Sequence, residues 1–204
     1  MADARAHWEA VYNTKNEDEV SWYQSSARIS LSLIRSAAPS KVSSILDIGG
    51  GASHLVDELL ADGYTDLTVL DISDSALSKS KARLGSQAAK VSWIVADIIT
   101  CHPARTWQLW HDRAVFHFQT STDDQNAYIA ALRAATVSGS VAVMSCFALD
   151  GPERCSGLPV QRYSAGTLAA RLGDDFQLIS NESERHTTPW GSVQSFVYAA
   201  FKRR

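Results

Sequence analysis

The chain lacks the features that commit a sequence to a specialised class. Only three cysteines, Cys101, Cys146 and Cys155, occur in 204 residues. So sparse and odd a set gives no disulfide framework and points to reduced thiols. No C-x-x-C or H-x-x-x-H spacing occurs, so no metal site is expected. No apolar run approaches the ~18 residues that cross a bilayer. Residues 1–8 carry no apolar signal core, so a cytoplasmic location without a membrane partner is expected. An excess of one charge is missing too. Nineteen Lys and Arg against 22 Asp and Glu give a formal net charge of -3, which leaves no bulk electrostatic case for nucleic acid. The closing Lys202-Arg203-Arg204 reads as a solvated basic end. Internal repeats, low-complexity segments and interdomain linkers are absent.

What is present is an ordinary globular composition, 45% hydrophobic and 20% charged, long enough for one α/β domain with a substantial core. A single domain over residues 1–204 is expected, with a helical cap at 1–40 and a ligand-binding core at 41–204. In the cap, residues 4–12 read as a short helix. Ile29, Leu31, Leu33 and Ile34 recur at near-helical spacing, with Pro39 beyond the helix end. Five apolar runs then alternate with helical patterns: strands at 42–48, 67–70, 91–96, within 108–116, and at 140–147. Helices are expected at 53–61, 73–84, 123–135 and 164–172, with Ser73 or Asp74 and Ser164 as N-caps. Residues 151–157 read as a loop. Two closing strands, 176–179 and 194–201, have no helix between them and so form a hairpin. The expected fold is a Rossmann-like seven-stranded, mostly parallel sheet with one antiparallel strand and helices on both faces.

The most informative stretch is Ile45-Leu46-Asp47-Ile48-Gly49-Gly50-Gly51-Ala52-Ser53, where an apolar run enters three glycines just before a helix. Backbone without β-carbons lets a ligand come close, and helix N–H groups point at it. The next strand ends in Asp71, a carboxylate placed to accept two hydrogen bonds from a ribose diol. The third ends in Asp97, which meets either the exocyclic amine of adenine or water. A dinucleotide fingerprint needs G-x-G-x-x-G, and its third glycine is missing here. No G-x-x-x-x-G-K-[ST] occurs either. The acid-x-Gly-x-Gly turn, the acids at Asp71 and Asp97 and the reversed final strand point instead to S-adenosylmethionine.

On these residues the chain resembles the class I S-adenosylmethionine-dependent methyltransferases, along essentially its whole length. The likeness is strongest in Leu46-Asp47-Ile48-Gly49-Gly50-Gly51, Val69-Leu70-Asp71-Ile72-Ser73 and His111-Asp112-Arg113-Ala114-Val115-Phe116-His117-Phe118. The opening His7-Trp8-Glu9-Ala10-Val11-Tyr12 with Ser21-Trp22-Tyr23 is similar to small bacterial members, and a related layout occurs in the elongation-factor lysine methyltransferases of eukaryotes. The chain departs at Ser53, where a last glycine is often seen. The resemblance implies that Gly49 and Gly51 pass under the methionine portion, that Gly50 belongs to the same cofactor-binding turn and that Asp47 braces it. Asp71 would hold the ribose, Ile72 would flank the adenine, and Asp97 with Ile98 would sit at its edge. His111 and Asp112 would face the methionine amine and the transferring methyl.

Several other side chains carry two readings each. His117 is the general-base candidate because its ordinary pKa lies near neutrality; the alternative is a histidine packed in an interface. Asp112 and Arg113 belong either to the site or to a surface ion pair. Tyr12, Trp22 and Tyr23 either close over the cofactor, where an aromatic face attracts a sulfonium, or pack the cap on the core; Trp8 reads as packing. Arg162 pairs with a substrate carboxylate or is an exposed charge. The stretch from His186 to Trp190 lines a pocket mouth or is only a hairpin loop. Cys155 is a nucleophile, a soft-metal ligand or a small loop residue.

Methyl transfer to the O, S or N of a small molecule by a monomer or weak homodimer is therefore expected. Protein lysine methylation and a non-catalytic cofactor-binding module are the alternatives. The missing third glycine counts against a nicotinamide oxidoreductase.

Overall fold

The computed structural model describes the backbone over residues 2–204 and side chains from residue 4. The cap comprises α1 (Ala2–Thr14) and α2 (Arg28–Ala37). The core runs β1 (Ser44–Ile48), α3 (Leu55–Ala61), β2 (Asp66–Asp71), α4 (Asp74–Leu84), β3 (Val91–Val95), β4 (Leu109–Arg113), α5 (Thr122–Ala134) and β5 (Val141–Phe147). A two-stranded hairpin, β6 (Arg154–Cys155) and β7 (Leu158–Pro159), follows, then α6 (Ala165–Leu172), β8 (Phe176–Thr187) and β9 (Val193–Arg203). Seven strands form one sheet in the order β3-β2-β1-β4-β5-β9-β8. β1 to β5 are parallel, and β9 runs antiparallel to both β5 and β8. The single reversed strand expected from sequence is therefore β9.

The inner strands β1, β2, β4 and β5 are buried on both faces, which is why they read as continuous apolar runs. Successive residues still alternate between the faces. Ile45 and Leu109 join a core layer with Leu31 and Ile34 of α2 and Leu55 and Leu59 of α3. Leu46 and Trp110 join the opposite layer, with Tyr128, Ile129 and Leu132 of α5 and Leu168 and Leu172 of α6. Helix starts follow local chemistry. The Ser73 hydroxyl accepts from the Ala76 N–H at the head of α4, and Ser164 and Thr167 form a reciprocal capping box on α6. Among the described residues no helix is long and apolar enough to cross a membrane.

Two expectations need correction. β8 extends through Thr187, well past residue 179. It is an edge strand, and residues 180–185 are held by their ladder to β9, so no apolar alternation advertises them. Residues 151–157 are not plain loop. Arg154 pairs with Pro159 and Cys155 with Leu158 across Ser156 and Gly157, both at positive φ (50° and 78°), as a tight hairpin turn demands.

Behind β4 lies a buried polar node. The Asp112 carboxylate accepts from the N–H groups of Val115 (2.8 Å) and Phe116 (2.9 Å) and from the Tyr128 hydroxyl. Trp110 Nε1 donates to the same hydroxyl at 3.0 Å. The node ties the turn after β4 to α5. Tyr128→Phe removes a partner from a buried carboxylate and from a buried indole N–H. It is expected to lower the unfolding free energy by about 1–3 kcal/mol, read from urea denaturation. Unchanged stability would show that the node bears no load.

Candidate active site

The carboxyl ends of the parallel strands open into a cleft of ≈ 330 Å³, continuous with a smaller recess of ≈ 60 Å³; both are bounded by Tyr12, Trp22, Ile48, Gly49 and Arg113. Ligands bind at this edge of α/β sheets.

Gly49 borders both the cleft and the recess and Gly50 the recess, and neither they nor Gly51 has room for a side chain. A β-carbon on Gly49 would stand 2.2 Å from Val115 Cγ2, one on Gly50 2.4 Å from Asp47 Oδ2, and one on Gly51 2.6 Å from Asp71 Oδ2. Gly49 is also at φ 65°, which L side chains rarely adopt. The turn is clamped from behind. Ser80 Oγ donates to the Gly51 carbonyl at 2.6 Å. Arg83 donates to the carbonyls of Ala52 (3.2 Å) and Ser53 (2.7 Å) and pairs with Asp57 and Glu17. Ser80 and Arg83 carry no sequence signal, because only packing brings α4 beneath the turn.

Asp47 is the innermost acid of the recess. His111 Nδ1–H donates to its Oδ1 at 2.6 Å, and His111 Nε2 meets Ser30 Oγ at 2.8 Å. Asp47 Oδ2 is buried without a partner, an acceptor that an ammonium group would satisfy. Asp71 closes the next strand. Its Oδ1 accepts from the Ser73 N–H at 2.8 Å, and it lines the cleft while only 5% exposed. Burial, reinforced by neighbouring Asp47, pushes its carboxyl up to about 7. Ile72, Asp97 and Ile98 line the same end of the cleft. Asp97 Oδ1 accepts from the Ile99 N–H at 3.1 Å.

The cap roofs the cleft. Trp22 Nε1 donates to the Tyr12 hydroxyl at 3.3 Å. Trp8 meets Trp22 and Phe118 edge-on, at centroid distances of 5.6 and 5.2 Å. Trp8 is therefore wall as well as packing, which sequence alone did not reveal. Glu9 accepts from the Asp74 and Ser75 N–H groups at the free end of α4 (2.7 and 3.3 Å). His7 Nε2 meets Ser156 Oγ of the β6–β7 turn at 3.2 Å. The roof thus spans from α4 to the hairpin. Tyr23 borders the recess beside His54.

Other candidates lie elsewhere. Alternation along β4 sends His111 and Arg113 to the cap face and Asp112 to the α5 face, so Asp112 does not line the cleft, although its carboxyl is pushed up to about 6 by burial. His117 is sealed, with Nδ1 accepting from the Phe147 N–H at 3.3 Å. Burial, helped by Arg113, drops it to about 3, so it is neutral and out of reach of the cleft. Arg162 is spent on the Gly151 carbonyl (3.1 Å) and Glu153 (3.0 Å). His186 is buried in β8 with Nε2 donating to the Ser21 carbonyl at 2.7 Å, and Trp190 is 60% exposed on the β8–β9 turn. Other walls of the cleft are Arg113, Phe118, Cys155, Leu158, Pro159 and Phe196. Among the described residues no cluster of His, Cys, Asp and Glu is arranged to hold a metal ion.

Comparison with known proteins agrees with this geometry. Residues 45–139 match the family model described as a methyltransferase domain. A mouse eEF1A lysine and N-terminal methyltransferase is 27% identical over 108 residues, 52% of this chain and 15% of that protein. A malonyl-[acyl-carrier protein] O-methyltransferase of Anoxybacillus flavithermus is 34% identical over 91 residues, 44% of this chain and 34% of that one. The chain thus spans 15% and 34% of the length of these relatives. Among solved structures, the 1,6-didemethyltoxoflavin-N1-methyltransferase of Burkholderia thailandensis, with 1,6-didemethyltoxoflavin and S-adenosylhomocysteine bound, superposes with a TM-score of 0.75. It is 18% identical, covering 100% of this chain and 88% of that one.

Gly50→Ala is expected to abolish binding of S-adenosylhomocysteine in calorimetry, since its methyl would occupy the site of Asp47 Oδ2. Native-like affinity in the folded variant would remove the turn from the site. The charged form of Asp71 is the better acceptor for a ribose diol, so wild-type affinity should fall as pH drops through about 7, by up to about tenfold per unit. Asp71→Asn should bind more weakly and without that slope. A slope kept in the variant would assign it to another group.

Proposed function

We propose that this chain, a class I S-adenosylmethionine-dependent methyltransferase in fold and in the sequence of residues 45–139, transfers the methyl group to an O, S or N atom of a small molecule. The observation that carries the reading is the glycine turn, where a β-carbon added to any of the three glycines would stand 2.6 Å or less from Val115, Asp47 or Asp71. Glycines packed this closely against the two acids leave no side chain between those carboxylates and a ligand lying along the turn.

S-adenosylmethionine supplies a methyl already activated on a sulfonium. The chain's own residues bind, align and keep water out. Gly49 to Gly51 would lie under the methionine portion, with Asp47 Oδ2 as acceptor for its ammonium. Asp71 would take the ribose hydroxyls, and Ile72, Ile98 and Asp97 the adenine. Tyr12, Trp8 and Trp22 present aromatic faces and edges to a cationic centre and shut out solvent.

No histidine of the described residues lines the main cleft. His111 is held by Asp47 and Ser30, His117 is sealed, and Asp112 lies on the other face. Alignment rather than proton removal is then the chain's contribution, which suits an acceptor that arrives nucleophilic. The roof of α1 and the β6–β7 hairpin supports a small acceptor, since a protein segment would have to displace it.

Calorimetric titration with S-adenosylmethionine, S-adenosylhomocysteine and nicotinamide cofactors tests the first half. Adenosyl binding alone is expected, and folded protein binding neither adenosyl ligand overturns the proposal. Incubation with radiolabelled methyl donor and separate metabolite and protein extracts tests the second. Label is expected in small molecules; label confined to protein would replace them with a protein acceptor.

A further inference from the structure

The cleft contains a charge to which the proposed cofactor reading gives no role. Arg113 ends β4 on the cap face. In the sheet order β1-β4-β5-β9 its guanidinium reaches across β5 to residues of β9, while the side chain also borders the recess beside Gly49 and Gly50. Nε donates to the Tyr198 hydroxyl at 2.8 Å and Nη1 to the Trp22 carbonyl at 2.9 Å. The guanidinium carbon lies 4.7 Å from the centroid of Phe196. Nη2 is buried and has no hydrogen-bond partner. The nearest carboxylate, Glu184, stands off at 3.8 Å. Both its oxygens are engaged, Oε1 by Gln24 (2.8 Å) and Oε2 by the Tyr198 hydroxyl (2.9 Å). A guanidinium remains charged, and a buried donor left unpaired is costly.

The surroundings define the missing partner. Among the described residues Arg113 is the sole cation lining the main cleft, whose acids Asp71, Asp97 and Asp124 face it from other elements. Cys155, beside it, does not serve as counterion, because burial pushes its thiol up to about 11. The remaining walls near Arg113 are Trp8, Trp22, Phe118, Leu158 and Phe196, flat and apolar. Sequence reasoning gave the role of carboxylate anchor to Arg162, which the fold spends on Gly151 and Glu153.

We propose that Arg113 determines acceptor specificity by binding the carboxylate of a flat, apolar carboxylic acid. The inference rests on the methyltransferase reading and deepens it. The carboxylate is the handle rather than the methylated atom, because an anion hydrogen-bonded to a guanidinium is held in place with its charge already engaged. The nucleophilic atom lies elsewhere on the acceptor.

The test uses full-length protein saturated with S-adenosylhomocysteine. Phenylacetate and 3-phenylpropionate are titrated calorimetrically alongside their uncharged amides. The acids should bind at least about tenfold more tightly than the amides, as for loss of a charged hydrogen bond. Arg113→Gln should erase that preference while leaving S-adenosylhomocysteine affinity unchanged, and Arg113→Lys should retain part of it. Amides binding as well as acids, or neither binding, overturns the proposal, and this wild-type comparison stands even if the variants do not fold. Loss of S-adenosylhomocysteine affinity in folded Arg113→Gln also overturns it, assigning the guanidinium to the cofactor's own carboxylate. Failure of wild-type protein to bind S-adenosylhomocysteine at all is a separate result, and it removes the methyltransferase reading itself.

Discussion

Everything near the cleft depends on a steric constraint: the turn from β1 to α3 has no space for a β-carbon at three consecutive positions. The neighbours that fill this space include the two acids proposed to hold the cofactor. Asp47 lies against Gly50, Asp71 against Gly51 and Val115 against Gly49. The turn is therefore a gauge that fixes two carboxylates relative to a bare strip of backbone. Its rigidity comes from behind, where Ser80 and Arg83 of α4 hold the carbonyls of Gly51, Ala52 and Ser53. Carbonyls anchored in this way leave the opposite surface of the turn free for a ligand.

A second organising rule is strand alternation along β4. His111 and Arg113 face the cap, and Trp110 and Asp112 face α5. One short strand thus braces Asp47 through His111 and presents a cation through Arg113. Through Asp112 it anchors the turn that leads to α5. Burial shapes the charges that result. It raises Asp71 to about 7, so this acid titrates in the range where a ligand can decide its ionisation. It lowers His117 to about 3, which leaves that ring an uncharged packing element against Phe118 and Phe147. The same desolvation makes one group responsive and another inert, according to whether it meets the cleft.

The roof joins these parts. α1 is attached at one side through Glu9 to the free N–H groups of α4 and at the other through His7 to the hairpin turn. Its aromatic residues supply the cleft's ceiling. The proposed small-molecule acceptor follows from that enclosure and from the apolar walls around Arg113.

The sequence by itself determined the strand–turn–helix core, the order of elements, the reversed last strand and the acids Asp47, Asp71 and Asp97 at the cleft's edge. These are legible because their causes are local: apolar runs, capping serines, and glycines at a strand's end, all within a few residues of what they position. Tertiary structure alone decided the rest. β8 is longer than its apolar residues because a backbone ladder carries no side-chain signature. His117 and Arg162 looked catalytic or anionic-binding by residue type, but packing sealed one and spent the other. Arg113, Trp8 and Phe196 became cleft walls because separate elements converge there. Residue type states what a side chain can do, but convergence of distant segments decides whether it faces a ligand.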